Sequence, residues 1–462
     1  MAYDYDLLII GAGPGGYVGA IRAKQLGLSV CVVEKDKAGG VCLNIGCIPS
    51  KSLVHQAESF HSIGDLERMG VQVDLSKFDY SKAQAESRKA ADQLSKGVGF
   101  LLKKNKVDYV EGTAVITDEH AVTVDGERKI SAHNILIATG SRPRELKGFE
   151  FDGNTIMSSD DILMRTNLPK SMLVLGAGAI GCEFTHIMSR FGVDVTLIEM
   201  LDHILPTVDE EAAKVLARSF KKRKLAMYTA AKAQPPRKEK GKVVMDVETK
   251  KGTKTLEAET LLVTVGRAPN TENIGLENVG IKPEKGFIPI GDYYRTSVDS
   301  IFAIGDVVSA TPQLAHVASK EAELVVEYLA GEKVEAQLDP TTIPFGVYTE
   351  PEVAGFGYTE EEAKEKGYEA AADSFPIRGA GKSVAIEKTE GMVKIVYDTK
   401  TREILGARIV GTQATDLIHE LLLARSSELV TADISKLIHA HPTLSEAVME
   451  AARATEGWMI HA

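Results

Sequence analysis

Cysteine is scarce in this chain: four residues in 462, at positions 31, 42, 47 and 182. That is too few for a disulfide-stapled secreted fold, and no second cysteine pair exists to complete a four-cysteine zinc site. No apolar run approaches the ~20 residues that cross a bilayer, which excludes a transmembrane helix. A surplus of positive charge is missing too. Lys and Arg number 54 against 65 Asp and Glu, a formal net charge of −11. Such a balance disfavours general nucleic-acid or membrane-surface binding. Two basic runs, KKRK (221–224) and RKEKGK (237–242), lie among acidic residues and read as solvated surface. Only Met1 to Tyr5 precede the first apolar run, DLLII, which leaves no room for a signal or transit peptide. A cytoplasmic chain is expected, or the mature form of one in an organelle matrix. In either compartment a disulfide is usually catalytic or redox-sensing. At roughly 150 residues per domain the length allows about three domains.

What is present is a repeat. LLIIGAGPGG (7–16) and LVLGAGAIGC (173–182) each join an apolar run to a glycine-rich turn. Helix-like stretches follow, YVGAIRAKQLG and EFTHIMSRFG. Second apolar runs close each unit with an acid, SVCVVE ending at Glu34 and DVTLIE ending at Glu199. Strand, turn, helix, strand and acid in register form the βαβ dinucleotide-binding fingerprint, twice. The first glycine, Gly11 or Gly176, makes the turn. The second, Gly13 or Gly178, lets the backbone approach a pyrophosphate. The third, Gly16 or Gly181, lets helix and strand pack closely. Free N–H groups and the dipole at the helix N-terminus meet the phosphates, and the acid accepts from ribose hydroxyls. At Glu199 a carboxylate suits a free 2′-hydroxyl and repels a 2′-phosphate. The next residues are Met200, Leu201 and Asp202, with no arginine, so NAD is expected. A third element, SVDSIFAIGDVV (297–308), ends a strand at Gly305–Asp306, which places a carboxylate in the crevice where parallel sheets bind ligands. The pair Cys42 and Cys47 in GGVCLNIGCIPSK (39–51) remains open on spacing alone: half a metal site, buried thiols or a redox pair.

With these elements in place the chain resembles, essentially end to end, the disulfide-containing flavoprotein reductases (class I pyridine nucleotide-disulfide oxidoreductases). Within them it looks most like the dihydrolipoamide dehydrogenases. The resemblance rests on GAGPGG, GGVCLNIGCIPSK, ATGSRP (138–143), GAGAIGCEF (176–184), VGRAPN (265–270), FAIGDV (302–307), YTEPEVAGFGYTE (348–360) and HAHPTLSEA (439–447). Val41 departs from the more usual threonine, Ala322 from a frequent glycine, and 231–243 aligns poorly. The resemblance implies an α/β fold with two Rossmann-like domains, for FAD and NAD, and a C-terminal α+β dimerisation domain. Its implied boundaries are 1–146 and 273–340 for the two parts of the FAD domain, 147–272 for an inserted NAD domain and 341–462 for the interface domain.

FAD is then held by Gly11, Gly13, Gly16 and Glu34, with Asp306 on a ribitol hydroxyl, and NAD by Gly176, Gly178, Gly181 and Glu199. Thr139, Gly140 and Gly266 fall in matched cofactor segments. The resemblance also makes Cys42–Cys47 a redox disulfide: Cys42 exchanges with substrate, Cys47 lies against the flavin, and Lys51 sits near the reactive flavin nitrogen with Glu183 as its ion-pair partner. Residues five apart in a regular helix have Cα atoms about 8–9 Å apart, whereas a disulfide needs about 4.4–6.8 Å. The chain therefore cannot run as one regular helix through both cysteines; Gly46 and Pro49 fit a distorted turn before KSLVHQAES. His441 is the implied base, oriented by Glu446 and presented to the partner subunit's disulfide, with a cis bond to Pro442. TLSE (443–446) also reads as a capping box, so Glu446 has a plainer role available. His439 reads as structural, and His55, His186 and His419 as ordinary helix residues. The implied reaction oxidises protein-bound dihydrolipoamide and reduces NAD, with a homodimer served by lipoyl-bearing subunits of 2-oxo-acid dehydrogenase complexes or the glycine cleavage system. The rival readings are another flavoprotein disulfide reductase, which would want an arginine-rich NADP pocket or a C-terminal cysteine pair, and a non-catalytic structural subunit.

Overall fold

A computed structural model describes residues 3–461. The first apolar run forms the strand Tyr5–Ile10 at the centre of a parallel sheet. Its neighbours are Val30–Glu34 on one side and Arg128–Ile137 on the other. Asp108–Glu111 and Ile301–Ala303 close the parallel part. Apolar residues on both faces are what a doubly covered parallel strand requires. Leu8 and Ile10 enter one core, while Leu7 and Ile9 enter the other. The long strand Arg128–Ile137 also pairs antiparallel, through its first half, with Ala121–Val124.

The second fingerprint builds a second parallel sheet, in the order Ala226–Tyr228, Asp194–Ile198, Ser171–Leu175, Thr260–Val263, Ile156–Met157. Where the chain leaves the first unit and returns, Ser141–Pro143 pairs antiparallel with Arg267–Pro269. A five-stranded antiparallel sheet follows, Phe345–Val347, Glu352–Gly357, Ile404–Gly411, Met392–Asp398 and Ala370–Pro376. Helices Ala414–Ser426 and Glu446–Thr455 cover it through Ile418, Leu421, Val448 and Ala452. The three units meet on one helix, Cys47–His61. Its Leu53 and Ala57 share a core with Cys182, Phe184 and Ile187 of the second fingerprint helix and Val347 and Val353 of the antiparallel sheet.

Among the described residues no helix is long and apolar enough to cross a membrane. Segment 231–243 forms the short strands Lys232–Ala233 and Arg237–Glu239 and the turn into Lys242–Thr249. Three of its basic residues are paired at the surface, Arg237 with Asp246, Lys238 with Asp152 and Lys242 with Glu257. The run KKRK departs from the surface reading at Arg223. That guanidinium turns inward, donating to His186 Nδ1 at 3.1 Å and Ser189 Oγ at 2.6 Å.

Candidate active site

Both fingerprint turns are shaped for a close-approaching ligand. Helix Pro14–Gln25 starts from Gly13 and helix Ala179–Arg190 from Gly178, and no side chain caps either start, so the leading N–H groups stay available. A Cβ on Gly16 would lie 1.9 Å from the Gly11 carbonyl oxygen, and one on Gly181 1.9 Å from that of Gly176. These are the closest backbone approaches in each unit, and only glycine permits them. Space in front of Gly178 is open to 4 Å, and the nearest atom to a Cβ on Gly13 is the Cα of Gly40, at 4.0 Å. Gly40 has φ +57, and a Cβ there would lie 2.7 Å from the Gly13 Cα. The segment leading to Cys42 is thus seated on the first phosphate turn.

Glu34 and Glu199 share a geometry that the sequence did not reveal. Each is 8% exposed. Glu34 accepts from Ala12 N at 2.6 Å and Asp36 N at 3.0 Å. Glu199 accepts from Ala177 N at 2.7 Å and Leu201 N at 2.9 Å. Each acid therefore braces its own glycine turn, with lone pairs left over for a ribose. The residues present fit two dinucleotides: two open phosphate turns, two braced carboxylates and Asp306 at the end of a parallel strand.

Asp306 accepts from the Ser141 hydroxyl, to which Arg267 Nε donates at 2.7 Å. Thr139 and Gly140 lie at the crossing of the chain's exit and return. Thr139 Oγ1 donates to Asn270 O at 2.7 Å, Asn270 N to Gly140 O at 2.8 Å, and Arg144 N to Gly266 O at 3.0 Å.

The cysteine segment differs from the expected single distorted turn. It is two helices, Gly40–Ile45 carrying Cys42 and Cys47–His61 beginning at Cys47. The break is at Gly46, with φ −145 and ψ −113, where a Cβ would fall 2.9 Å from Val41 O. Pro49 sits in the first turn of the second helix, where its missing N–H costs nothing. All four cysteines are thiols, with Cys31 and Cys182 buried as small core residues. The Cys42 thiol donates to Cys47. That bond, with the Lys51 ammonium in support, holds Cys47 below the usual thiol range, against burial and the Glu183 carboxylate. The same bond, with burial, pushes Cys42 up. The two thiols are thus unequal, with Cys47 the more readily ionised.

Lys51 Nζ lies 3.0 and 3.1 Å from the two oxygens of Glu183, on the second fingerprint helix. Burial pushes the ammonium down, but Glu183 outweighs it and the lysine is held above its ordinary range. Tyr348 completes the arrangement. Its N–H donates to Glu183 Oε1 at 3.1 Å, and Lys51 Nζ stands 4.3 Å from its ring centroid. Tyr348 lies inside a quoted motif, yet nothing in the sequence signalled this contact.

His441 and Glu446 meet in the antiparallel unit. His441 Nδ1 is 2.9 Å from Glu446 Oε1, and Thr443 N donates to Oε2 at 2.8 Å. One oxygen therefore orients the imidazole, and the other is held by the Thr443 amide in the loop before the helix. The capping box that TLSE suggested does not form: the Thr443 hydroxyl donates to Ala440 O, and the helix Glu446–Thr455 starts from Ser445 with no side-chain cap. Burial pushes Glu446 up, but the Thr443 amide and His441 hold it below the usual carboxylate range. The His441–Pro442 bond is cis, as expected. The His441 side chain is 75% exposed, and no hydrogen bond joins it to either cysteine among the described residues. His439 is buried, its Nε2 2.8 Å from Glu420 Oε1. Cys42, Cys47, Lys51 and Glu183 come together; His441 and Glu446 form a separate, outward-facing pair.

The chain as a whole can be compared with known proteins. A family profile described as pyridine nucleotide-disulphide oxidoreductase matches residues 5–322, and the dimerisation domain of the same family matches residues 343–452. The chain is 43% identical to a dihydrolipoyl dehydrogenase of Corynebacterium glutamicum and 41% identical to one of Bacillus subtilis, covering all of both chains in each case. Among solved structures it is similar to LpdA from Mycobacterium tuberculosis, with a TM-score of 0.90 at 27% identity over 97% of this chain and 99% of that one.

Proposed function

The chain belongs to the pyridine nucleotide-disulphide oxidoreductases, and from that premise we propose what each of its site residues does. It is an FAD- and NAD-dependent flavoprotein and a homodimer, and its reaction is the oxidation of dihydrolipoamide to lipoamide with reduction of NAD. Gly11, Gly13, Gly16, Glu34 and Asp306 hold FAD; Gly176, Gly178, Gly181 and Glu199 hold NAD. FAD, when bound, accepts the electron pair of the Cys42–Cys47 dithiol and passes a hydride to NAD.

The rest of the chemistry belongs to the chain. A dithiol substrate is a weak nucleophile until deprotonated. His441 of the partner subunit, its Nδ1 bonded to a glutamate, has Nε2 free to take that proton. The substrate thiolate attacks the Cys42 sulfur, the Cys42–Cys47 bond breaks, and Cys47 leaves as a thiolate. The second substrate thiol then displaces Cys42, which leaves with a proton, and lipoamide departs as a cyclic disulfide. Lys51 stabilises the Cys47 thiolate, and Glu183 fixes Lys51. The lipoyl group arrives on subunits of a 2-oxo-acid dehydrogenase complex or of the glycine cleavage system, in the cytoplasm.

One observation carries this reading: the chain breaks at Gly46 between the two cysteines, and Cys47 opens the helix on which Lys51, held by Glu183 at 3.0 and 3.1 Å, stands one turn later, so a fixed cation is placed on the side of one sulfur of the pair. The test is dihydrolipoamide-dependent NADH formation by the purified dimer, beside NADPH-dependent reduction of glutathione disulfide. The account expects the first activity and not the second. A protein that binds FAD but does neither is a structural subunit.

A further inference from the structure

Glu321 is a carboxylate with 0% exposure and no basic partner among the described residues, yet none of the chemistry above uses it. It lies on the helix Ala315–Leu329, which packs against the first fingerprint helix so tightly that a Cβ on Gly19 would meet Ala322 Cβ at 3.1 Å. Its Oε2 accepts from Gly305 N at 2.6 Å, and its Oε1 accepts from the Thr311 hydroxyl. Those donors stand at the two ends of the segment 305–311, whose first residues are Gly305, with φ +68, and Asp306. Inside the segment the Asp306 carboxylate takes the Ser141 hydroxyl and its carbonyl takes Gln313 Nε2 at 3.1 Å. An isolated buried carboxylate is costly, and burial raises this one to about 7. Its position is explained by what it ties together.

We propose that Glu321 is a positioning residue for the flavin: it clamps both ends of the 305–311 segment and thereby fixes the Asp306 carboxylate against the FAD ribitol. The proposal rests on FAD being seated in the first fingerprint site. The sequence held no sign of the clamp, because Glu321 sits mid-helix in an ordinary-looking stretch, SKEAEL. A glutamine can make both contacts, its carbonyl accepting from Gly305 N and its amide donating to Thr311 Oγ1. An alanine makes neither.

The test is the rate at which holoenzyme releases FAD, read from the fluorescence of free flavin, together with a double-mutant cycle against Asp306. Glu321→Ala is expected to speed release about 30-fold or more, since both ends of the segment then lose their hydrogen bond at once. Glu321→Gln should stay within about threefold of wild type, as a role resting on contacts and not on charge requires. In an Asp306→Ala background, Glu321→Ala should add little, because the clamp acts through Asp306. Full additivity in that cycle overturns the proposal, as does unchanged release from Glu321→Ala. If Glu321→Ala does not fold, Thr311→Val removes one of the two partners and should still speed release several-fold; no change there also overturns it. A wild-type protein that carries no flavin refutes the seating itself, whereas a flavin-loaded wild type with equally tight Ala variants refutes only the clamp.

Discussion

Lys51 and Glu183 form one ion pair, yet removing either half should move the Cys47 thiol in opposite directions. The ammonium holds the thiolate down, and the carboxylate pushes it up. Lys51 is one helical turn beyond Cys47, about 6 Å away at side-chain level. At an effective dielectric constant of about 20, a unit charge at that distance is worth about 2.8 kcal/mol, or about two pK units. Lys51 is 32% exposed, so water trims this to about one unit. Glu183 stands about 3 Å farther off behind the ammonium, and its push should be about half a unit. Lys51→Met is thus expected to raise the Cys47 pKa by about one unit and Glu183→Gln to lower it by about half. The assay is a pH titration of the long-wavelength thiolate–flavin absorbance in the two-electron-reduced holoenzyme. Lys51→Met also strands the Glu183 carboxylate, 8% exposed, with only the Tyr348 amide as donor, so it should lower the denaturant midpoint. Lys51→Arg keeps the charge and should restore most of the titration. Shifts of the same sign in Lys51→Met and Glu183→Gln would refute the reasoning.

Glu199→Arg should move the ratio of kcat/KM for NAD over NADP toward NADP by about tenfold or more; an unmoved ratio contradicts the selector role. Gly181→Ala places a methyl 1.9 Å from Gly176 O and 2.8 Å from Thr264 Oγ1, so NAD binding should weaken at least about tenfold while the bound-flavin spectrum persists. Glu446→Gln keeps an acceptor for His441 but removes the charge and one of the two contacts, so dihydrolipoamide turnover should fall by about 10–100-fold with NADH oxidation by artificial acceptors retained. His186 is fully buried and held at about 4 by burial, with Arg223 opposing its charge. Its unfolded value is near 6.5, so it adds stability that is complete above pH 6.5 and lost as pH falls toward 4, by up to about 3 kcal/mol. The denaturant midpoint of His186→Gln should fall less than that of wild type between pH 6.5 and 4.5.

Much of this was legible because the decisive signals are local. Two glycine turns with closing acids fix two βαβ units, and the spacing of Cys42 and Cys47 demanded a break that the structure puts at Gly46. What escaped is tertiary. Whether Arg223 in a basic run faces water depends on His186 and Ser189, 37 and 34 residues away in the chain. The bracing of each glycine turn by its own acid depends on how the second strand returns beside the first. Tyr348 reaches Lys51 and Glu183 from a third unit, and Glu321 reaches back 16 residues to Gly305, just past the strand Ile301–Ala303. Glu446 was read as either orienter or cap; it meets His441, while its helix starts from Ser445 without a side-chain cap, which depends on where the loop after the cis bond hands over to the helix.

The division of labour between the sulfurs is tested most directly by the visible spectra of Cys42→Ser and Cys47→Ser holoenzymes during an alkaline titration without reductant. In Cys42→Ser no disulfide forms, so Cys47 is a free thiol, and a serine hydroxyl can still donate to it. The long-wavelength band should appear once Cys47 ionises, and it should be missing from Cys47→Ser at every pH. Both variants should lose dihydrolipoamide turnover and keep NADH oxidation by acceptors that draw electrons directly from FAD. A band in Cys47→Ser and none in Cys42→Ser would mean that the two roles are reversed.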